Sequence, residues 1–330
     1  MSESKNESSK NVLLENEFLL DGYQDFLVTK SIHTQRAYLR EIESFVNWLI
    51  KLDKASPEEI SNQEIRRFLA FNQQLGKSSS TLSQTSSAMK SYFSFLFKQK
   101  AISNNLSQTL SSRKVISKLP RVPAQTQMNK LLDSASKKYE DVCNLEPTDE
   151  EGSSLKYTKS KALAFQDWLV LELLYGGGFR VSELCGLTSD SFRWHKNDCI
   201  VLGKGNKQRV IPLSPDVIQM VKVFIKEERP VLIKTEDSLL KLLITSTGKP
   251  LSTRDAYRIV QGFEVPGSNG RSLHPHQLRH AYATHVLEGG ADVRIVQELL
   301  GHSSCATTQR YTQITQEKLV KEYKRTHPRG

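Results

Sequence analysis

The chain has 330 residues, 38% of them hydrophobic and 25% charged, so it is long enough for more than one domain and ordinary in composition for a folded protein. Its 46 Lys and Arg against 36 Asp and Glu give a net charge of +10, a balance that draws polyanions and nucleic acid first. No apolar run reaches membrane-spanning length, MSESKNESSKN lacks the apolar stretch of a signal peptide, and Cys143, Cys185, Cys199 and Cys305 show no CxxC spacing. A membrane span, a disulfide framework and a zinc ribbon are therefore not expected, and a cytoplasmic location is.

Residues 1–13 read as a disordered polar leader. From Thr34, TQRAYLREIESFVNWLIKL places Tyr38, Ile42, Phe45, Val46, Leu49 and Ile50 on one helical face. Ser61-Asn-Gln-Glu64 reads as a capping box opening a helix through Ile65, Phe68, Leu69 and Phe71. KSSSTLSQTSSAMKSYFSFLFKQK, residues 77–100, pairs an apolar end with a hydroxyl-rich start. Its small hydroxyls beside Lys77 and Lys90 can donate to phosphate oxygens, or the face is simply solvated. This helical region, residues 14–111, ends in a basic connector at 112–123, where Arg113, Lys114, Lys118 and Arg121 stand among prolines.

The second domain, 124–330, is mixed. YEDVCNLEPTDEEGSS carries six acidic residues between Glu140 and Glu151 and no basic one, so it reads as a solvated surface loop turned away from any polyanion. Residues 161–175, KALAFQDWLVLELLY, predict a strongly apolar helix. CIVLG and QRVIPL on either side of Lys204–Lys207 predict a hairpin. Helices follow near 215–228, 252–262, 275–288 and 292–300, with Pro275 suited to a first turn and Gly289-Gly290 and Gly301 to helix stops.

Five of the eight histidines fall within thirty residues, four of them in HPHQLRHAYATH (274–285) and the fifth at His302. Histidine gathers where protons move, metals bind or phosphates sit. His276 and His280 have zinc-binding spacing, but no HExxH glutamate accompanies them and Arg279 stands beside His276, which disfavours a metal. A histidine and an arginine at i and i+3 suit an anion instead. In YGGGFRVSEL, Arg180 follows three glycines at the start of a helical stretch, and Glu183 can pair with it and orient it. Lys204 lies at the predicted hairpin tip, and Tyr311, in ATTQRYTQIT, has polar neighbours rather than an apolar stripe. Each of these residues, taken singly, also fits an ordinary surface position.

In order, GFRVSEL, GKGNKQRVIPL, HQLRHAYATHVLEGGADVRIVQELLGH and TQRYT resemble the motif series of the tyrosine recombinases, and of their Xer branch most closely. TQRAYLREIESFVNWL is similar to the family's N-terminal arm, and YKRTHPRG to the Xer C-terminus. The resemblance implies an all-α, SAM-like core-binding domain, then a mainly α, α+β catalytic domain with a small β-hairpin, closing together around duplex DNA. It implies transesterification through a 3′-phosphotyrosyl link: Tyr311 as nucleophile, Arg180 and Arg279 on the nonbridging oxygens with His302, Lys204 as general acid, and His276 as proton-transfer partner. His280 and His285 are read as structural. No metal or cofactor is implied.

The implied partners are a short, imperfectly palindromic dif-like duplex, a tetramer with itself or a paralogue, and an activator such as a DNA translocase. A tail at about 315–330 is expected to dock on the neighbouring protomer. Dimer resolution of chromosomes or plasmids, at the nucleoid, is the expected role. A mobile-element integrase and a catalytically silent DNA-binding protein are the alternatives. The chain departs from the family's T-G-[LM]-R, having Gly177-Gly178-Phe179-Arg180.

Overall fold

A computed structural model describes residues 17–108, 110, 122–145, 153–203, 208–265, 272–301 and 316–329. The chain divides into two compact units, Met1–Lys118 and Leu119–Gly330. In the first, helices α1 (Leu20–Phe26), α2 (Ile32–Ile50), α3 (Asn62–Gln74) and α4 (Ser79–Lys98) enclose an apolar interior. Local side chains set the helix starts. Ser31 accepts from the Thr34 amide, Ser78 from the Thr81 amide, and Ser61 with Glu64 makes the capping box that SNQE predicts. α2 buries Ile42, Phe45, Val46 and Leu49, while Tyr38 and Ile50 form its half-buried rim. In α3, Ile65 and Phe68 turn inward and Phe71 is exposed. Two fully buried tyrosines keep their hydroxyls paired: Tyr92 donates to the Phe18 carbonyl at 2.7 Å and Tyr23 to that of Ala88 at 3.3 Å.

The second unit runs α5 (Gln125–Cys143), α6 (Ser153–Gly176), α7 (Val181–Gly186), β1 (Phe192–Arg193), β2 (Asp198–Leu202), β3 (Gln208–Pro212) and α8 (Pro215–Val223), which continues through a π-helical turn to Glu228. It then runs α9 (Glu236–Leu240), α10 (Thr253–Gln261), α11 (Pro275–Glu288), α12 (Val293–Leu300) and α13 (Gln316–Thr326). The strands form an antiparallel sheet in the order β1-β2-β3, with Cys199 opposite Ile211 and Val201 opposite Arg209. The alternation on either side of Lys204–Lys207 therefore makes paired strands, and the short β1 adds an edge that sequence alone does not mark.

α6 is the central post of this unit. Leu169, Val170, Leu171, Leu173, Leu174 and Tyr175 are all fully buried, which is why its sequence is a continuous apolar run rather than a stripe. Most of the polar atoms that go down with them find partners among the described residues, although Glu172 Oε2 has none. Gln166 bonds both the amide and the carbonyl of Ile244 at 2.8 Å, and Glu172 meets Arg329 at 3.1 Å and the Trp168 indole at 3.3 Å.

Several expectations change. α6 begins at Ser153, well before Lys161, because its first turns are polar and carry no apolar periodicity. The acidic stretch is not wholly a loop: Glu140 and Asp141 sit in the last turn of α5, and residues 146–152 lie outside the described residues. Val122 and Pro123, assigned to the connector by sequence, pack into the second unit, where Pro123 is buried. The leader and residues 111–121, with Arg113, Lys114, Lys118 and Arg121, lie outside the described residues. Cys143, Cys185 and Cys199 are free thiols, and among the described residues no helix is long and apolar enough to cross a membrane.

The C-terminal segment packs on its own unit within this chain. Leu319 and Tyr323 join the core, and the Tyr323 hydroxyl donates to the Gly176 carbonyl at 3.0 Å. His327 is buried among the rings of Tyr175, Tyr282 and Tyr323. Burial, with His285 nearby, pushes its pKa down to about 3, so it is a neutral core residue. His285 is structural as expected. It accepts from the Tyr175 hydroxyl at 2.9 Å, and its other nitrogen donates to the Pro123 carbonyl at 3.0 Å. His280 instead lies on an exposed face of α11.

Candidate active site

Between α6 and α7 the chain must reverse in a few residues. Gly178 does this at φ +60°, where a Cβ would also stand 2.6 Å from the Tyr282 ring. Phe179 drops fully into the core, and this leaves Arg180 at the N-cap of α7, its side chain about a third exposed. Glu183, at the third helical position, reaches back to the Arg180 amide at 2.8 Å, the helix-side half of a capping box. Its other oxygen accepts from Arg180 Nη1 at 2.7 Å. The motif R-V-S-E thus folds locally into an arginine held by its own helix cap.

Arg279 arrives from α11. Its guanidinium is buried, donates from Nη1 to the Gly178 carbonyl and from Nη2 to the Leu300 carbonyl, both at 2.5 Å, and stands 4.0 Å from Glu183. A third arginine completes the group. Arg209, on β3, meets both oxygens of Glu183, Nη2 to Oε2 at 2.7 Å and Nη1 to Oε1, and its Nε donates to the Leu299 carbonyl at 3.2 Å. Sequence reading gave Arg209 no role of its own, although it stands in the quoted motif GKGNKQRVIPL.

The last carbonyls of α12 are where these contacts converge. Leu299 accepts from Arg209, Leu300 from Arg279 and Gly301 from Arg180 Nη2 at 2.8 Å. A helix end leaves carbonyls without partners and carries partial negative charge, so three guanidiniums satisfy it on both counts. Gly301, at φ +62°, makes the left-handed stop predicted for it.

Three guanidiniums thus surround one carboxylate. Burial pushes Glu183 up, but the hydrogen bonds from Arg209 and Arg180 outweigh it and leave its pKa below the usual carboxylate range. Arg279 is pushed down to about 10, by burial first and then by the charges of Arg180 and Arg209. It remains charged at neutral pH, in surroundings that an added anion would relieve. Among the described residues Arg180 and Arg279 each spend two N–H groups, out of the five a guanidinium carries.

The other singled-out residues are placed less closely. His276 is exposed, one helical turn before Arg279, and the two share no hydrogen bond among the described residues. Lys204, His302 and Tyr311 lie outside the described residues, His302 directly after the Gly301 stop and Lys204 five positions before Arg209. In the first unit Lys77 faces Glu41 at 4.0 Å, and Lys90 is half-buried. The hydroxyls around them are largely engaged internally: Thr85 donates to Glu41 at 2.7 Å, and Ser86 and Ser87 donate to carbonyls one turn back at 2.9 Å. Among the described residues no three His, Cys, Asp or Glu side chains gather as a metal site requires.

Comparison with known proteins places this chain in a family. The phage integrase family model matches residues 147–318, and the phage integrase N-terminal SAM-like domain matches residues 20–100. Tyrosine recombinase XerC of Mycobacterium tuberculosis (strain ATCC 25177 / H37Ra) is 34% identical over 316 residues, covering 94% of this chain and 99% of the relative. Tyrosine recombinase XerD of Chlorobaculum tepidum is 33% identical over 298 residues, covering 90% and 91%. The fold is that of the XerH site-specific recombinase bound to a palindromic difH substrate, with a TM-score of 0.62 at 20% identity over 86% of this chain and 77% of that one. The Tn1549 transposon integrase in complex with a circular intermediate DNA gives 0.60 at 19% identity over 93% and 98%. A SAM-like helical domain, a mainly helical domain with a small antiparallel sheet and these full-length relatives agree: the chain belongs to the phage integrase family, as an Xer-type tyrosine recombinase, an enzyme that cleaves and rejoins DNA strands.

Proposed function

We propose that the protein carries out site-specific recombination on duplex DNA, with Arg180 and Arg279 as the clamp on the scissile phosphate. The convergence of both guanidiniums on the end of α12, each with N–H groups to spare, is the observation that carries this reading. Attack by the Tyr311 oxygen expels the 5′-oxygen and leaves a 3′-phosphotyrosyl bond; Lys204 protonates the leaving oxygen, His276 handles the tyrosine proton and His302 adds a donor to the phosphate. A phenol of pKa about 10 needs that help, and the charge growing on phosphorus needs preorganised cations. The covalent link conserves the bond energy, so rejoining to a second strand needs no ATP.

The same reading makes 14–111 the core-binding domain and 112–121 a basic connector, with Lys77, Lys90, Arg113, Lys114, Lys118 and Arg121 on the DNA backbone. The target is a short imperfect palindrome of dif type, bound by a tetramer of this chain or of this chain and a paralogue, activated by a protein such as a DNA translocase. Resolution of chromosome or plasmid dimers at the nucleoid, in the cytoplasm, is the role. In that assembly a C-terminal tail docked on a neighbour would leave the pocket that Tyr323 and His327 fill here.

A duplex nicked near the cleavage point traps the covalent adduct. Wild-type protein is expected to form it and Tyr311→Phe to bind the duplex equally well without forming it. An adduct with the phenylalanine variant would move the nucleophile elsewhere.

A further inference from the structure

Glu183 has only two oxygens, and Arg209 covers both. A guanidinium paired with a carboxylate through both terminal nitrogens fixes its plane and neutralises it. The guanidinium of Arg180 therefore meets Glu183 through Nη1 alone, at 2.7 Å, and sends Nη2 to Gly301. Were the face of the carboxylate free, Arg180 is the nearest guanidinium to fill it. It would then swing off the Gly301 carbonyl and its charge would be spent inside the protein. Arg209 is itself poorly placed to meet a ligand: its side chain is 10% exposed and three of its N–H groups are committed. Its stem lies over Gly301, where an added Cβ would come 2.8 Å from Cδ. It thus ties together three stretches: β3, the cap of α7 and the end of α12.

We infer that Arg209 is a positioning residue of the recombination reaction: by occupying both oxygens of Glu183 it leaves the charges of Arg180 and Arg279 free for the scissile phosphate. The inference rests on the reading above, in which those two arginines hold that phosphate. It makes Arg209 necessary for the rate of strand cleavage without contact to DNA, through Glu183.

The test compares wild type, Arg209→Gln, Arg209→Lys, Glu183→Gln, the Glu183→Gln/Arg209→Gln double variant and Arg180→Ala. Single-turnover adduct formation is measured at saturating protein on the nicked duplex. A second duplex carries an uncharged methylphosphonate at the scissile position. Arg209→Gln is expected to bind the duplex as wild type does but to cleave it about 10-fold or more slowly, as loss of a preorganised charge demands. Arg209→Lys is expected to share the defect, because an ammonium has no planar fork to meet both oxygens at once. The double variant should be no slower than the slower single one, since both act through the same pair.

On the uncharged phosphonate the deficit of Arg209→Gln should shrink, as should that of Arg180→Ala, because there is less charge to stabilise. A deficit equal on both substrates would make Arg209 a merely structural residue, and wild-type cleavage by Arg209→Gln would end the idea. Should the glutamine variant fail to fold, Arg209→Lys on the two substrates decides alone. Failure of the underlying reading looks different: wild type would give no adduct, or Arg180→Ala would cleave normally.

Discussion

Arg180 donates to the carbonyl of Gly301, 121 positions later in the chain, at 2.8 Å. That contact depends on Gly301 holding a left-handed turn against the Arg209 stem. Gly301→Ala should therefore cost about 1–2 kcal/mol from backbone conformation alone. It should also slow adduct formation, because the carbonyl that anchors Arg180 must shift. Thermal melting and the nicked-duplex assay measure the two effects, and wild-type values in both would show that the turn tolerates a side chain.

Arg180→Ala and Arg279→Ala each remove a charge from the proposed phosphate clamp. Cleavage is expected to fall by about 100-fold or more. Arg279→Ala should also lower stability, since it leaves the buried carbonyls of Gly178 and Leu300 without their donor. Lys204→Ala should behave differently. A duplex with sulfur in place of the bridging 5′-oxygen has a leaving group that needs no proton, so it should rescue the lysine variant and not the arginine variants. Equal rescue of all three would remove Lys204 from the role of general acid.

The departure from T-G-[LM]-R has a packing cause. A Cβ on Gly177 would stand 2.3 Å from the Phe179 ring and 3.0 Å from Leu213, and that ring is fully buried. Gly177→Ala is expected to cost about 1–3 kcal/mol by overpacking. Adding Phe179→Leu should recover much of it, by restoring the family's pairing of a larger residue at the first position with a smaller one at the third. Denaturant melts of the single and double variants give the coupling. Additive losses would mean that the two positions do not share the space.

His327 makes the second unit sensitive to acid. Its pKa is about 3 when folded and near 6.5 when not, so below pH 6.5 the unfolded chain takes up a proton that the folded chain refuses. Stability contributed by the neutral ring is complete above pH 6.5 and is lost as pH falls toward 3, at up to about 1.4 kcal/mol per pH unit. Burial lowers His285 as well, which adds in the same direction. His327→Gln should flatten the decline of melting temperature with falling pH. An unchanged pH slope would place the acid sensitivity elsewhere.

Much of the fold could be read from short-range rules. Ser61 and Glu64, the β2–β3 alternation, Pro275 in a first turn and Gly301 as a stop are features a few residues wide, and they hold because the forces behind them act over a few residues. The Arg180–Glu183 pair was legible for the same reason, being three positions long. What stayed hidden was tertiary. Nothing near Arg209 in sequence says that it meets a glutamate 26 positions earlier and a carbonyl 90 positions later. The acidic run misled at Glu140 and Asp141, since charge pattern speaks of solvent exposure and an exposed helix end satisfies it as well as a loop. His280 and His285 look alike in HAYATH, yet one helix turns the first to solvent and the second to Tyr175.

The row of carbonyls at Leu299, Leu300 and Gly301 also sets an order of events in synthesis. Arg180, Arg209 and Arg279 all leave the ribosome before Leu299, Leu300 and Gly301 do, and a domain made from its N-terminus settles as its segments appear. A nascent chain thus holds its three guanidiniums for a time without these last acceptors, with only Glu183 and Gly178 to receive them. Only when the end of α12 has been made is the arrangement complete, so a copy arrested short of Leu299 keeps Glu183 with its arginines but lacks the carbonyls that finish placing them.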